Sequence, residues 1–198
     1  NTLHQLYPKS VITNVEIDPA VVKVARQYFG FLENQNVTSV IQDGRIFIKR
    51  AIIKKQKYDW IILDAFNGDY IPEHLLTQEF IQETKSLLNE NGVLSANTFS
   101  VSDLYAHESA TYKSVFGDFY NVRNYKNSNR IILASKGKLP SLTVINQRVS
   151  ALKNRLTPFG VDLEQVSNQM TSTIIEQDWP ENTKILTDQF SPANLLNN

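Results

Sequence analysis

An α/β layer fold, with a mostly parallel sheet and an antiparallel closing strand, is what the 198-residue sequence predicts. Short apolar runs alternate along the chain with segments whose apolar residues recur at helical spacing. Residues 58–63 are apolar almost throughout, which suits a parallel strand covered by helices on both faces. Acidic residues, Glu16, Asp43 and Asp64, stand at the ends of successive expected strands. In a parallel sheet those ends open on one edge, where ligands bind.

Taken in order, residues 2–8 read as the end of a helix and 11–17 as a strand. Asp18 then caps a helix with Pro19 at its first position, a favoured pair. Val21, Val22, Ala25, Tyr28 and Phe29 form its apolar stripe, and Gly30 ends it. A short strand at 37–41 leads through Asp43-Gly44 into a helix carrying Phe47, Ile48, Ala51 and Ile52. After 58–63 comes a loop, then a helix capped by Thr77, with Phe80, Ile81, Thr84, Leu87 and Leu88 on one face and Asn91-Gly92 closing it. Strand 93–99, helix 104–116 and an antiparallel pair at 119–125 and 130–135 follow, the pair turning at Asn127-Ser128-Asn129. Residues 136–141 read as a linker and 142–156 as a helix. The expected division is a Rossmann-like nucleoside-binding domain at 1–135 and a C-terminal helical extension at 136–198, packed on the same domain.

Lys+Arg and Asp+Glu both number 20, so the net charge is near zero. That balance argues against nucleic acid or an acidic membrane surface as the main partner. With no cysteine, the chain has no disulfide, zinc-thiolate site or cysteine nucleophile. No apolar run approaches the roughly 20 residues of a membrane span, no signal peptide is visible, and a cytoplasmic location is expected. His4, His74 and His107 show no paired spacing, so no metal site is expected. Ser100 and Ser102 follow a strand without a Gly-x-Ser-x-Gly elbow. The basic run Lys49, Arg50, Lys54, Lys55 and Lys57 reads as a solvated helix face. Trp60 reads as core, although with Phe66 and Tyr70 it could also form an aromatic wall.

The acidic residues divide by context. Asp18 reads as a helix cap alone. Asp43 fits either a cap or a ligand-binding carboxylate. Because Asp18 already supplies the cap, Glu16 is placed as a nucleotide-ribose carboxylate at a strand end. Asp64 is followed by a loop, which capping does not explain. A glycine-rich turn usually precedes a ribose-binding acid by roughly 20 residues. Here Asn1 lies too close to Glu16 for that turn and the strand before it to be present, so an N-terminally truncated sheet is expected.

Val15-Glu16-Ile17-Asp18-Pro19, Asp43-Gly44-Arg45-Ile46-Phe47 and Tyr58-Asp59-Trp60-Ile61-Ile62-Leu63-Asp64 resemble the spermidine synthase (polyamine aminopropyltransferase) family and its spermidine synthase-like relatives. So do Pro72-Glu73-His74-Leu75, Thr77-Gln78-Glu79-Phe80 and Leu186-Thr187-Asp188. The resemblance implies an S-adenosylmethionine-dependent methyltransferase-like Rossmann fold. It implies decarboxylated S-adenosylmethionine as co-substrate, or S-adenosylmethionine in a methyltransferase. By the same resemblance Glu16 holds the ribose hydroxyls, Ile17 packs on the adenine face, and Asp43 with Gly44 meets the adenine amine. Asp64 is the expected catalytic group beside the sulfonium and the incoming amine.

Three residues after Asp64, where the family commonly has a second Asp, this chain has Asn67. Asn67, Asp69 and Tyr70 are the candidate substrate-binding residues. The implied partner is a small-molecule di- or polyamine, and a homodimer is compatible with the resemblance. Without the glycine-rich loop and the family's N-terminal hairpin, the chain by itself is expected to be an inactive part of a larger enzyme. Two other readings stay open: a methyltransferase acting on a small molecule, and a non-catalytic binding or interaction module of the same fold.

Overall fold

A computed structural model describes residues 2–66, 70–99, 104–123 and 129–192. The turn expected at Asn127-Ser128, and Ser100 and Ser102, lie outside the described residues. The chain forms two compact units, residues 1–50 and 51–198. The boundary expected at 135/136 is kept as a proposal about domain organisation.

In the first unit, helix α1 (Thr2–Leu6) precedes strand β1 (Ile12–Glu16), helix α2 (Pro19–Tyr28) and strand β2 (Val37–Ile41). The two strands are parallel, in register from Ile12 opposite Val37 to Glu16 opposite Ile41. The Asp18 carboxylate accepts the Ala20 N–H at 2.7 Å, and Pro19 opens α2. Gly30 takes the left-handed conformation at φ +61° that ends the helix, and the Phe31 N–H turns back to the Ala25 carbonyl. The expected apolar stripe of α2 is only partly covered. Val22 is buried, whereas Val21, Tyr28 and Phe29 are exposed. A two-stranded sheet is a narrow platform, and a ten-residue helix has more apolar surface than that platform can cover. Helix α3 (Gly44–Ile53) follows β2 and runs into the second unit. The basic residues at 49, 50, 54, 55 and 57 are exposed, as expected.

The second unit holds a five-stranded sheet. Strand β3 (Tyr58–Leu63) pairs parallel with β4 (Leu88–Phe99). Strand β6 (Asn129–Ser135) lies antiparallel between β4 and β5 (Tyr120–Arg123), and β7 (Met170–Ser172) extends the far side. Helices α4 (Gln78–Ser86) and α5 (Leu104–Phe116) carry the apolar faces that cover it. Phe80, Ile81, Leu88, Leu94, Ala96, Phe119 and Ile132 are all but sealed from solvent. Each large apolar side chain buried this way stabilises the fold by about 1.5–3 kcal/mol. Helices α6 (Leu142–Leu156), capped by Ser141, and α7 (Leu163–Asn168) form a hairpin with no fully buried residue. The tail is part of the core: Trp179 stacks on Phe119 with ring centroids 5.9 Å apart, and Leu186 is sealed.

Two expectations change here. Leu87 and Leu88 do not continue the α4 stripe; Leu87 caps the helix and Leu88 starts β4 opposite Tyr58. The ladder shifts register between Tyr58 and Trp60, which takes in the extra residues around Asn91-Gly92. A Cβ at Gly92 would stand 3.0 Å from the Asn89 backbone, a tight contact that favours glycine in the detour. Nor is β3 covered on both faces: Trp60 is 46% and Ile62 48% exposed. Trp60 is therefore not core; its indole N–H donates to Ser95 Oγ at 2.8 Å. Trp60 and Ile62 alternate along β3 and so share the face that is left half open.

One buried cluster had no counterpart in the sequence reading. Arg130 on β6 and Glu108 on α5 are both wholly buried and paired at 3.0 Å. The guanidinium also donates to Thr98 Oγ1 at 2.8 Å and Ser109 Oγ at 2.6 Å, and lies over the Tyr105 ring. Arg123 lies over Tyr105 as well and pairs with Asp178 of the tail.

Candidate functional site

In the first unit, parallel pairing places Glu16 and Asp43 at one edge. Glu16 is the last residue of β1, opposite Ile41, and Asp43 follows two residues later on the neighbouring strand's exit. Glu16 is half-buried, and its Oε1 accepts the Asp18 N–H at 2.9 Å, which steers the carboxylate back over the turn. Ile17 is 66% exposed, an apolar side chain turned to solvent beside that carboxylate. Asp43 Oδ1 accepts the Ile46 N–H at 2.9 Å, so Asp43 caps α3. Gly44 opens α3 with open space where a side chain would stand, so a ligand could approach the backbone there.

Asp64 lies in the second unit, directly after β3, and is exposed. Leu63 pairs with Ala96, so the residues that follow on each strand, Asp64 and Asn97, lie side by side. Asn97 Nδ2 donates to Asp64 Oδ1 at 2.9 Å. Asn97 Oδ1 is shut from solvent and has no partner among the described residues. A buried acceptor without a donor is costly, typically ~1–3 kcal/mol. Asn97 also borders a cavity of about 30 Å³, walled by Leu63, Ile71, Leu76, Phe80 and Tyr112. That is room for about one water. Burial pushes the Tyr112 phenol well above its ordinary value, so it stays protonated. Phe66 packs edge-on against Phe99, with centroids 5.4 Å apart.

Of the expected substrate-binding residues, Tyr70 is half-buried; Asn67 and Asp69 lie outside the described residues. Asn97 was missed by the sequence reading. Its one sequence signal is a polar residue near the end of an apolar strand, and only the β3–β4 register makes it the neighbour of Asp64.

Residues 2–126 match the family model of the spermine/spermidine synthase domain. The chain belongs to that family. A polyamine aminopropyltransferase of Vibrio vulnificus is 52% identical over 197 residues, covering 99% of this chain and 65% of that protein. The chain thus spans just under two thirds of the length of that relative. Among solved structures, human methyltransferase-like protein 13 in complex with SAH is similar at a TM-score of 0.67 and 25% identity, over 91% of this chain and 78% of that one. A probable spermidine synthase from Corynebacterium glutamicum is similar at a TM-score of 0.70 and 22% identity, over 93% and 66%. Both likenesses bear out the methyltransferase-like fold that the spermine/spermidine synthase motifs implied.

Proposed function

We propose that the full-length protein is a polyamine aminopropyltransferase, moving an aminopropyl group from decarboxylated S-adenosylmethionine to a di- or polyamine. The observation that carries this reading is the 52% identity, along nearly the whole chain, to a protein that bears that name. In the reaction, the amine lone pair attacks the carbon beside S⁺. The new C–N bond forms as the C–S bond breaks, its electron pair stays on sulfur as a neutral thioether, and the amine gives up a proton. Asp64 is the group to take that proton, directly or through a water, and to hold the cationic reactants electrostatically. Asn97 orients its carboxylate. Glu16 grips the ribose hydroxyls, Ile17 covers the adenine face, and Asp43 with the adjacent Gly44 backbone meets the adenine amine. Asn67, Asp69 and Tyr70 border the amine. A cytoplasmic location and a homodimer belong to the same proposal.

A methyltransferase is the second reading, favoured by the likeness to a methyltransferase-like protein whose structure holds SAH. Calorimetric titration of the full-length protein separates the two. Tighter binding of decarboxylated S-adenosylmethionine than of S-adenosylmethionine is the expected result. The reverse order selects the second reading, and binding of neither selects a non-catalytic module.

A further inference from the structure

The segment between β3 and α4 leaves Asp64, turns at the 3-10 helix Glu73–Leu75 and re-enters the core at Thr77. Its residues Ile71, Leu75 and Leu76, with Phe80 of α4, line the cavity beside Asn97. The position of this segment therefore shapes the wall of that cavity, which Leu63 and Ala65, the two neighbours of Asp64 in the chain, also line. A peptide more than a hundred residues away holds it. The Thr77 hydroxyl donates to Asp188 Oδ1 at 2.7 Å and accepts the Phe80 N–H at 3.3 Å. The Gln78 N–H donates to the Leu186 carbonyl at 2.8 Å, and the Asp188 N–H donates to the Glu79 carboxylate at 3.0 Å. Ser191 Oγ donates to the Glu73 carbonyl at 3.2 Å.

The peptide is itself anchored. Leu186 is wholly buried, and its N–H donates to Thr111 Oγ1 on α5 at 2.9 Å. His107 Nδ1, on the same helix, bonds the carbonyl of Lys184 in the tail at 2.5 Å. Thr187 and Phe190 close a turn by exchanging backbone hydrogen bonds. Thr77 is 1% exposed, so its O–H has no water to fall back on and depends on Asp188.

We propose that Asp188 is a positioning residue: through Thr77 it fixes the 70–80 segment against the tail and so sets the amine side of the pocket beside Asp64. This rests on the aminopropyltransferase reading of Asp64. Nothing in it involves the nucleoside-binding residues of the first unit.

The test compares Asp188→Ala and Asp188→Asn in the full-length protein. Asn keeps an oxygen that can accept the Thr77 proton. With Asp188→Ala, backbone amides of 75–81 exchange hydrogen about tenfold faster, while those of β6 do not change. The KM for the amine rises about tenfold, whereas the affinity for decarboxylated S-adenosylmethionine is unchanged. Asp188→Asn restores both. The proposal is overturned if Asp188→Ala leaves exchange and amine KM as in the parent, or if the Asn variant is no better than the Ala variant. Exchange is read without turnover. A protein that binds no decarboxylated nucleoside therefore defeats the aminopropyltransferase reading, while the exchange comparison still decides whether Asp188 holds the segment.

Discussion

Asp64→Asn in the full-length protein lowers kcat by ~10²–10⁴-fold, the range that general-base help supplies, and leaves nucleoside affinity within about twofold. The substitution is nearly isosteric. Asn keeps an oxygen to accept the Asn97 Nδ2 proton, so the 2.9 Å bond and the strand-end geometry survive. What it lacks is a site for the amine's proton and a negative charge facing a cationic reactant. Steady-state rates and calorimetry on one preparation check this. A variant that turns over at the parent rate removes Asp64 from the chemistry. Asn97→Leu separates orientation from proton transfer. It removes a hydrogen bond to a charged group, worth about 1.5–3 kcal/mol, so kcat drops by roughly tenfold to a hundredfold, a smaller loss than that of a missing proton acceptor.

Arg130→Met costs the fold roughly 3–5 kcal/mol, the usual penalty for stranding a buried charge. Glu108 and Arg130 are both 0% exposed, so removing the guanidinium leaves a carboxylate with neither counter-charge nor water. The double variant Glu108→Leu/Arg130→Met recovers most of the loss, because no charge is then left in the core. Denaturant unfolding of the parent, the single and the double variant tests both statements. A single variant as stable as its parent would show that the pair contributes nothing to stability.

The pH dependence follows from the same burial. Desolvation pushes the Glu108 carboxyl from its ordinary 4.5 up to about 7, although Arg130 pulls the other way. Between those values the folded chain holds a proton that the unfolded chain has released. Glu108's contribution to stability is therefore full below pH 4.5, falls as pH rises to about 7, and is flat above. Replacing Glu108 by Gln removes that slope.

Much of the fold was legible because its signals are local. Asp18 and Pro19 mark the start of α2, and helical spacing of apolar residues marks α6 over the expected 142–156. Capping and amphipathic periodicity act over three or four residues, which is the reach of a sequence pattern. The candidate carboxylates were legible for the same reason. Glu16 ends its strand, Asp64 directly follows its own and Asp43 lies two residues beyond its own, and a parallel strand delivers its end to a known edge.

Decisions that depend on pairing were not legible. Leu88 could extend a helical stripe or begin a strand, and only its ladder with Tyr58 chose the strand. Trp60 could be core or surface, and its exposure follows from which face of β3 the tertiary packing covers. Asn97 became the partner of Asp64 through strand register, across 33 residues. Asp188 became the partner of Thr77 through the course of the tail, across 111. By itself the sequence determined the order of helices and strands, the caps that start α2 and α4, and which acids stand near strand ends. The tertiary structure alone decided which distant side chains Asp64 and Asp188 meet. A hydrogen bond depends on distance in space, and that distance is set by packing and register rather than by separation along the chain.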